Sequence, residues 1–173
     1  MESESARMSS AAEARFRIDY PNSEPRVIKV VALDEVSERV VKRVASRPWQ
    51  RANFFTALEF EDMPRGQGCS MEGWSMNAWL SDLAGRAKAL VEEVAAADLV
   101  VMVSSAGTSA AAAAVIGEAC AARKIMTMAL IIASEQRDEE LSRTLAALRP
   151  YASMLVIASG DEYIEEMLAA LRA

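Results

Sequence analysis

The stretch that decides the fold is LVVMVSSAGTSAAAAAVIGEA, residues 99–119. Five apolar residues lead through Ser-Ser-Ala-Gly-Thr-Ser into an alanine-rich segment. A continuous apolar run bounded by turn residues predicts a strand buried on both faces, and the alanine-rich segment predicts a helix. A strand, a small-residue turn and a helix in this order are typical of parallel α/β sheets, in which ligands bind at the carboxyl ends of the strands.

Four other apolar runs repeat this alternation of strand and helix. The predicted strands are 26–33, 52–60, 99–103, 125–132 and 153–159. The predicted helices are 34–46, 74–97, 110–123, 134–148 and 161–173. This order predicts a Rossmann-like three-layer α/β sandwich: a mostly parallel sheet of five or six strands with helices on both faces.

Composition limits the setting and the partners. The net charge is −6 and the pI is about 4.9, which excludes the basic footprint of a nucleic-acid or anionic-membrane binder. No apolar run has the length of a membrane span, and the polar, acidic start lacks the layout of a secretory signal. We therefore expect a cytoplasmic protein with a partly ordered arm over residues 1–24 and a single α/β domain over residues 25–173.

Two residue types restrict the chemistry further. The chain contains no histidine, which removes imidazole metal sites and the usual general base near neutral pH. Its two cysteines, Cys69 in a predicted loop and Cys120 in a predicted buried helix, are expected to be free thiols in a reducing compartment. We predict no metal site and no obligatory cofactor.

Three stretches resemble a known family. RVIKVVALDEVSERVVKRV (26–44) resembles the first strand, loop and helix of the FtsZ/tubulin GTPases, and ADLVVMVSSAGTSAAAAAVIGEACAARKIMTMALII (97–132) resembles their signature strand, loop, helix and next strand. ASMLVIASGDEYIEEML (152–168) resembles the later strand and the start of their central helix. The resemblance implies a tubulin nucleotide-binding-domain-like fold with a GTP-type site in the loops.

The motifs depart from that family at the loops. Of the GGGTGTG signature the chain keeps Ala106, Gly107 and Thr108, while Ser109 and Ala110 replace glycines. The first loop reads ALDE at residues 32–35 instead of a glycine run. Its two carboxylates would repel a nucleotide's phosphates by roughly 1 kcal/mol per close pair in water, and by several at an effective dielectric constant of about 20.

The resemblance also implies what is missing. In the family the catalytic acids follow the central helix, and the chain ends at Ala173, inside or just past the corresponding helix. The acids and the second domain are therefore not expected, and neither is GTP hydrolysis of the family kind.

The turn after residue 103 is the candidate ligand site, with two interpretations. As an anion cradle at a helix N-terminus it would hold a phosphate-type anion, or weakly GTP. Alternatively, Ser and Thr cap the helix and the alanines allow close packing on the sheet. The candidate ligand-binding residues are Ser104, Ser105, Ala106, Gly107, Thr108 and Ser109, with Asp34 joining them only if a ligand is bound.

Side chains near this turn also have two interpretations each. Asp34 and Glu35 could be a carboxylate pair for metal or acid–base work, or a helix cap followed by a first-turn acid. Ser105 as a nucleophile would need a base, and Lys124 at the far end of the helix is the nearest candidate in sequence. We therefore predict no catalytic residue.

The segment GCSMEGWSMNAWL (68–80) is the candidate interaction surface. Aromatic and methionine side chains are enriched where proteins meet partners, although they could equally cover the core beneath a long loop. The residues concerned are Cys69, Met71, Trp74, Met76 and Trp79.

Three functions are compatible with these features. The first is a non-catalytic, tubulin-like module of a bacterial-type cytoplasm that binds a protein partner or associates with itself. The second is a nucleotide- or phosphate-ligand-binding subunit of a multi-chain enzyme, with the ligand at the 104–109 loop. The third is an ordinary Rossmann-like enzyme, which the lack of a GxGxxG motif after the first strand disfavours.

Overall fold

The seven strands in the part of the chain that the structure describes form one sheet. The computed structural model describes residues 25–57, 79–108, 111–133, 138–158 and 161–173. The strands are β1 (Ile28–Ala32), β2 (Ala52–Thr56), β3 (Trp79–Asp82), β4 (Ala87–Ala89), β5 (Leu99–Ser105), β6 (Met126–Ile132) and β7 (Met154–Ala158). The helices are α1 (Glu35–Ala45), α2 (Leu90–Ala95), α3 (Ala111–Arg123), α4 (Asp138–Leu148) and α5 (Asp161–Ala170).

The strand order across the sheet is β4-β3-β2-β1-β5-β6-β7. Strands β2, β1, β5, β6 and β7 are parallel, whereas β3 and β4 are antiparallel additions beside β2. Counted along the chain, the five parallel strands have the order 2-1-3-4-5, one of the two common doubly wound arrangements. The predicted mostly parallel α/β sheet is confirmed, with seven strands rather than five or six.

Helices cover both faces of the sheet. The Val40, Val41 and Val44 side chains of α1 share one core with Ile164 and Leu168 of α5. Helices α2, α3 and α4 contribute to a second core on the opposite face, together with a 3-10 turn at Arg149–Tyr151. The predicted three-layer sandwich is therefore confirmed.

Helix α1 begins where the sequence predicts, at an Asp34 N-cap. Its side chain accepts a hydrogen bond from the Ser37 amide, and the Ser37 hydroxyl accepts one from the Asp34 amide, which closes a capping box. Glu35 lies exposed in the first turn, near the positive end of the helix dipole. Asp34 and Glu35 therefore have the positions of a helix cap and a first-turn acid, the second of the two predicted interpretations.

The predicted helix over 74–97 is wrong over residues 79–89 and is confirmed over Leu90–Ala95. Residues 79–89 instead form the hairpin β3–β4, and only the short helix α2 follows. The Asp82 carboxylate accepts hydrogen bonds from the amides of Ala84 and Arg86, both at 2.9 Å, and Gly85 has a φ of +77°. A side-chain-closed turn with glycine in the left-handed region connects antiparallel strands and overrides the helical spacing of the apolar residues.

Helix α3 packs closely because its residues are small. A Cβ on Gly117 would lie 2.5 Å from the Cβ of Tyr151 in the 3-10 turn, so this position admits only glycine without rearrangement. Cys120 on the same helix is fully buried and free, as predicted, and burial raises the pKa of its thiol to about 12. The alanine-rich sequence thus serves close packing.

Among the helices in the described ranges, none combines the length and apolar character that crossing a membrane requires.

Candidate functional site

The candidate site lies where the chain leaves neighbouring strands in opposite directions. After β1 the chain enters α1 on one face, and after β5 it enters α3 on the other. The two strand ends are held together, since Ala32 is in register with Val103 and the Leu33 amide donates to the Val103 carbonyl at 2.9 Å. In doubly wound sheets this topological switch point is the usual ligand crevice.

The Asp34 carboxylate lies at the centre of this switch point and is 3% exposed. Its Oδ1 accepts hydrogen bonds from the Ser37 amide and the Ser105 hydroxyl, both at 2.8 Å. Its Oδ2 accepts from the Ser105 amide at 2.8 Å and from the Thr108 hydroxyl at 3.0 Å. Each oxygen therefore has two donors, which matches the lone-pair capacity of an ionised carboxylate.

These contacts determine the charge of Asp34. Burial by itself would raise the pKa of its carboxyl group. The amides of Ser37 and Ser105 and the hydroxyls of Ser105 and Thr108 outweigh this effect, so the pKa lies below the ordinary value of 3.8. Asp34 is therefore ionised at neutral pH without a cation among these contacts.

Hydroxyl groups complete the surroundings of the carboxylate. Ser104 is fully buried, and its hydroxyl lies 3.3 Å from the Ser105 carbonyl and 3.4 Å from the Thr108 hydroxyl. The Thr108 hydroxyl also lies 2.8 Å from the Ser105 carbonyl, so Asp34 and Ser105 compete for its proton. The cluster binds one anion through neutral donors.

Three consecutive amides of the 104–108 loop have acceptors within the protein. The Ser105 amide donates to Asp34, and the Ala106 amide donates to the Ile132 carbonyl at 3.1 Å. The Gly107 amide donates to the Thr144 hydroxyl of α4 at 3.0 Å. A phosphate cradle offers consecutive amides to its ligand, whereas these three consecutive amides already have protein acceptors.

A second carboxylate lies beside the loop. Gly107 has a φ of +87°, in the left-handed region that favours glycine. A Cβ at this position would lie 3.3 Å from Glu140 Oε2 on α4. The loop is thus flanked by carboxylates at Asp34 and Glu140, which disfavours a polyanion.

The structure brings most of the predicted ligand residues together. Ser105 and Thr108 donate hydrogen bonds to Asp34, and the Ser104 hydroxyl lies 3.4 Å from the Thr108 hydroxyl. The next two residues turn to other partners, since the Ala106 amide donates to the Ile132 carbonyl and Gly107 lies beside Glu140. Ser109 lies outside the described residues. Lys124 follows the distant end of α3, so α3 separates it from Ser105.

The predicted interaction residues fall mostly outside the described part of the chain. Cys69, Met71, Trp74 and Met76 lie outside it, and of Trp79 the structure gives only its backbone, paired with Ala89. Within the described ranges no group of three or more His, Cys, Asp and Glu side chains is arranged to hold a metal ion.

Three contributors to the site were missed by sequence reasoning. Ser37 carries a readable signal, because it stands three residues after an Asp at a helix start, as in a capping box. Glu140 and Thr144 carry none, because their contacts with Gly107 arise from the packing of α4 beside the loop.

The sequence was compared with known proteins. No family model matches the chain, and no curated protein matches it. The resemblance to the FtsZ/tubulin GTPases therefore stays a prediction.

Proposed function

We propose that this chain is a non-catalytic α/β binding module in which the phosphate position of a doubly wound sheet is filled by its own Asp34. The observation that carries the proposal is the Asp34 carboxylate, bound by the Ser105 amide and by the hydroxyls of Ser105 and Thr108. The Asp34 carboxylate joins the loops after β1 and β5 by hydrogen bonds. It also occupies the donors that a phosphate would need.

The chemistry of the surroundings supports a non-catalytic role. Ser105 is 2% exposed and its hydroxyl is committed to Asp34, so it does not face a substrate. The chain has no histidine to act as a base. Asp34 accepts four hydrogen bonds and has a lowered pKa, which makes it a weak base.

The proposed activity of the module is protein binding, with a partner or with a second copy. The segment 68–80 stays the predicted surface for a partner, on the grounds of its tryptophans and methionines. The tubulin-like character of the module and its cytoplasmic location are part of the proposal and rest on the sequence alone.

Titration calorimetry with GTP, GDP and inorganic phosphate tests the proposal. We expect no binding heat from the native chain, because three consecutive amides of the loop, at residues 105–107, and its described hydroxyl groups have internal hydrogen-bond partners. The proposal fails if GTP binds with micromolar or tighter affinity and Gly107→Val removes that binding.

The matched control for this variant is Gly85→Val. Gly85 also has a positive φ, but it lies in the β3–β4 hairpin with nothing within 4 Å of a Cβ. Both substitutions impose backbone strain, whereas only the substitution at Gly107 alters the 104–108 loop. Loss of GTP binding in both variants would indicate unfolding instead of a local site.

A second candidate is a phosphate-ligand-binding subunit of a larger enzyme. It is favoured by the location of the loop at the switch point and by the exposed Gly107, whose conformation suits a close approach of backbone to ligand. In this case phosphate alone gives heat in the same titration, and Asp34→Asn, which removes a negative charge, strengthens binding.

A further inference from the structure

The two edges of the sheet differ in length and charge. Strand β4 has three residues, and its Lys88 is exposed next to the exposed Arg86. Strand β7 has five residues, MLVIA, with no charge and no proline. Short strands and lysines are the common means of preventing edge-to-edge association, so β4 is a protected edge and β7 is not.

Exposed apolar side chains concentrate around β7. In the described residues, five large hydrophobic side chains are exposed. Met154 and Ile157 lie on β7 itself and are 51% and 49% exposed, Met126 begins the neighbouring β6, and Tyr163 lies in the first turn of α5 after β7. The remaining one, Val36, lies on α1.

The direction of the backbone groups on β7 follows from its pairing with β6. The Ala158 carbonyl accepts a hydrogen bond from the Ala133 amide at the end of β6, so Ala158 faces β6. The polar groups of successive strand residues point to opposite sides. Met154 and Val156 therefore also face β6, whereas Leu155 and Ile157 direct their N–H and C=O groups to the open side, where the described part of the chain provides no strand.

We propose that the β7 edge binds the β7 edge of a second copy, antiparallel, about a two-fold axis at Val156. This register places Leu155 opposite Ile157 of the second copy, and Ile157 opposite Leu155 of the second copy. Each outward N–H of these residues then meets an outward C=O, in the alternating hydrogen-bonded pairs of an antiparallel ladder. The sheet continues from one copy into the other.

The side chains favour a second copy as the occupant because β7 is complementary to itself in this register. The large Met154 faces the small Ala158, and the apolar Leu155 faces the apolar Ile157. An interface around a two-fold axis requires such self-complementarity. The contact strand is also uncharged, so chains of net charge −6 can meet there without placing like charges opposite each other.

Sedimentation equilibrium of the native full chain tests the proposal, with Ile157→Lys as the disrupting variant. We expect a dimer for the native chain. A lysine opposite Leu155 is desolvated in the interface and should raise the dissociation constant about a hundredfold or more. Val36→Lys is the matched control, since Val36 is 40% exposed but lies on α1, and it should leave the dimer intact.

Disulfide trapping tests the register independently of that variant. In a Cys69→Ser background, Val156→Cys places two thiols across the axis at a non-hydrogen-bonded pair, within the reach of a disulfide. Met154→Cys faces Ala158 and should not link. A monomeric native chain overturns the proposal, and this is the result expected if residues 1–24 or a foreign protein covers β7 instead. Equal linking of the two cysteine variants also overturns it.

Discussion

Strand β1 has a buried charge near each end, and the two charges are stabilised in different ways. Lys29, 6% exposed, contacts a carboxylate: its Nζ lies 2.7 Å from Glu93 Oε2, 2.9 Å from Asn53 Oδ1 and 5.6 Å from the centre of the Phe55 ring. Asp34, two residues past the carboxyl end of β1, is contacted by amides and hydroxyls alone.

This difference in partners distinguishes Lys29, which belongs to a structural ion pair, from Asp34, which lies in an anion-binding environment. A lysine paired with a glutamate forms a closed unit whose charge is balanced inside the protein. A carboxylate surrounded by neutral donors at a helix N-terminus occupies a place that suits any small anion of similar shape. The Asp34 cluster therefore has the properties of an anion site with a permanent, covalently attached occupant.

The largest expected effect comes from Asp34→Ala. The variant loses the cap of α1 and leaves the buried Ser105 amide and hydroxyl without their acceptor, which should lower the free energy of unfolding by about 3–5 kcal/mol. Urea unfolding measures this loss. Glu35→Ala, at the exposed neighbouring position, should stay within about 0.5 kcal/mol of the native chain.

A smaller effect is expected from Lys29→Met. Glu93 loses its cation but its side chain is 21% exposed and can be hydrated, so the loss should be about 2 kcal/mol. Adding Glu93→Leu removes the unpaired charge and should restore part of the stability. Additive losses in the double variant would show that Lys29 and Glu93 do not act as a pair.

Formate rescue of Asp34→Gly distinguishes the two ends of β1 directly. If the donors around Asp34 form an anion site, formate should refill it and stabilise this variant by about 1.4 kcal/mol at ten times its dissociation constant. The readout is the thermal midpoint in sodium formate against sodium chloride of equal ionic strength. An equal shift in Lys29→Met would assign the effect to the salt and contradict the site.

The smallest effect is expected from acidification below pH 3.8. Because the pKa of Asp34 is lower in the folded chain than its ordinary value of 3.8, its ionisation stabilises the fold above pH 3.8, and this contribution is lost as the pH falls through the folded pKa. The difference in unfolding free energy between the native chain and Asp34→Asn should be constant near neutral pH and shrink below 3.8. A difference that grows on acidification would contradict the lowered pKa.

The parallel part of the fold was predictable and the hairpin was not. The buried strands β1 and β5 are mostly apolar, with Lys29 in β1 and two serines at the end of β5, and Asp34 marks the start of α1, so each signal is local. In residues 79–90 the apolar residues Leu80, Leu83 and Leu90 have helical spacing, while the turn of the hairpin depends on Asp82 and Gly85. Turn chemistry outweighed periodicity there.

The sequence indicates which loops form the candidate site, but not which side chains contact each other within it. The loops after β1 and β5 both carry readable motifs, and the parallel order places them together. The sequence does not reveal that the Asp34 side chain turns toward Ser105, which is 71 positions away. That contact depends on the register of Ala32 with Val103, which places both loops at the same height.

The burial of Cys120 gives the protein an internal reporter of its own opening. A fully buried thiol whose pKa is raised to about 12 has almost no thiolate at neutral pH, so alkylating reagents reach it only when the core around α3 separates. The alkylation rate in a Cys69→Ser chain then measures the free energy of that opening without denaturant. Comparing this rate among the variants above would show whether the anion cluster stabilises the whole core or only the switch point.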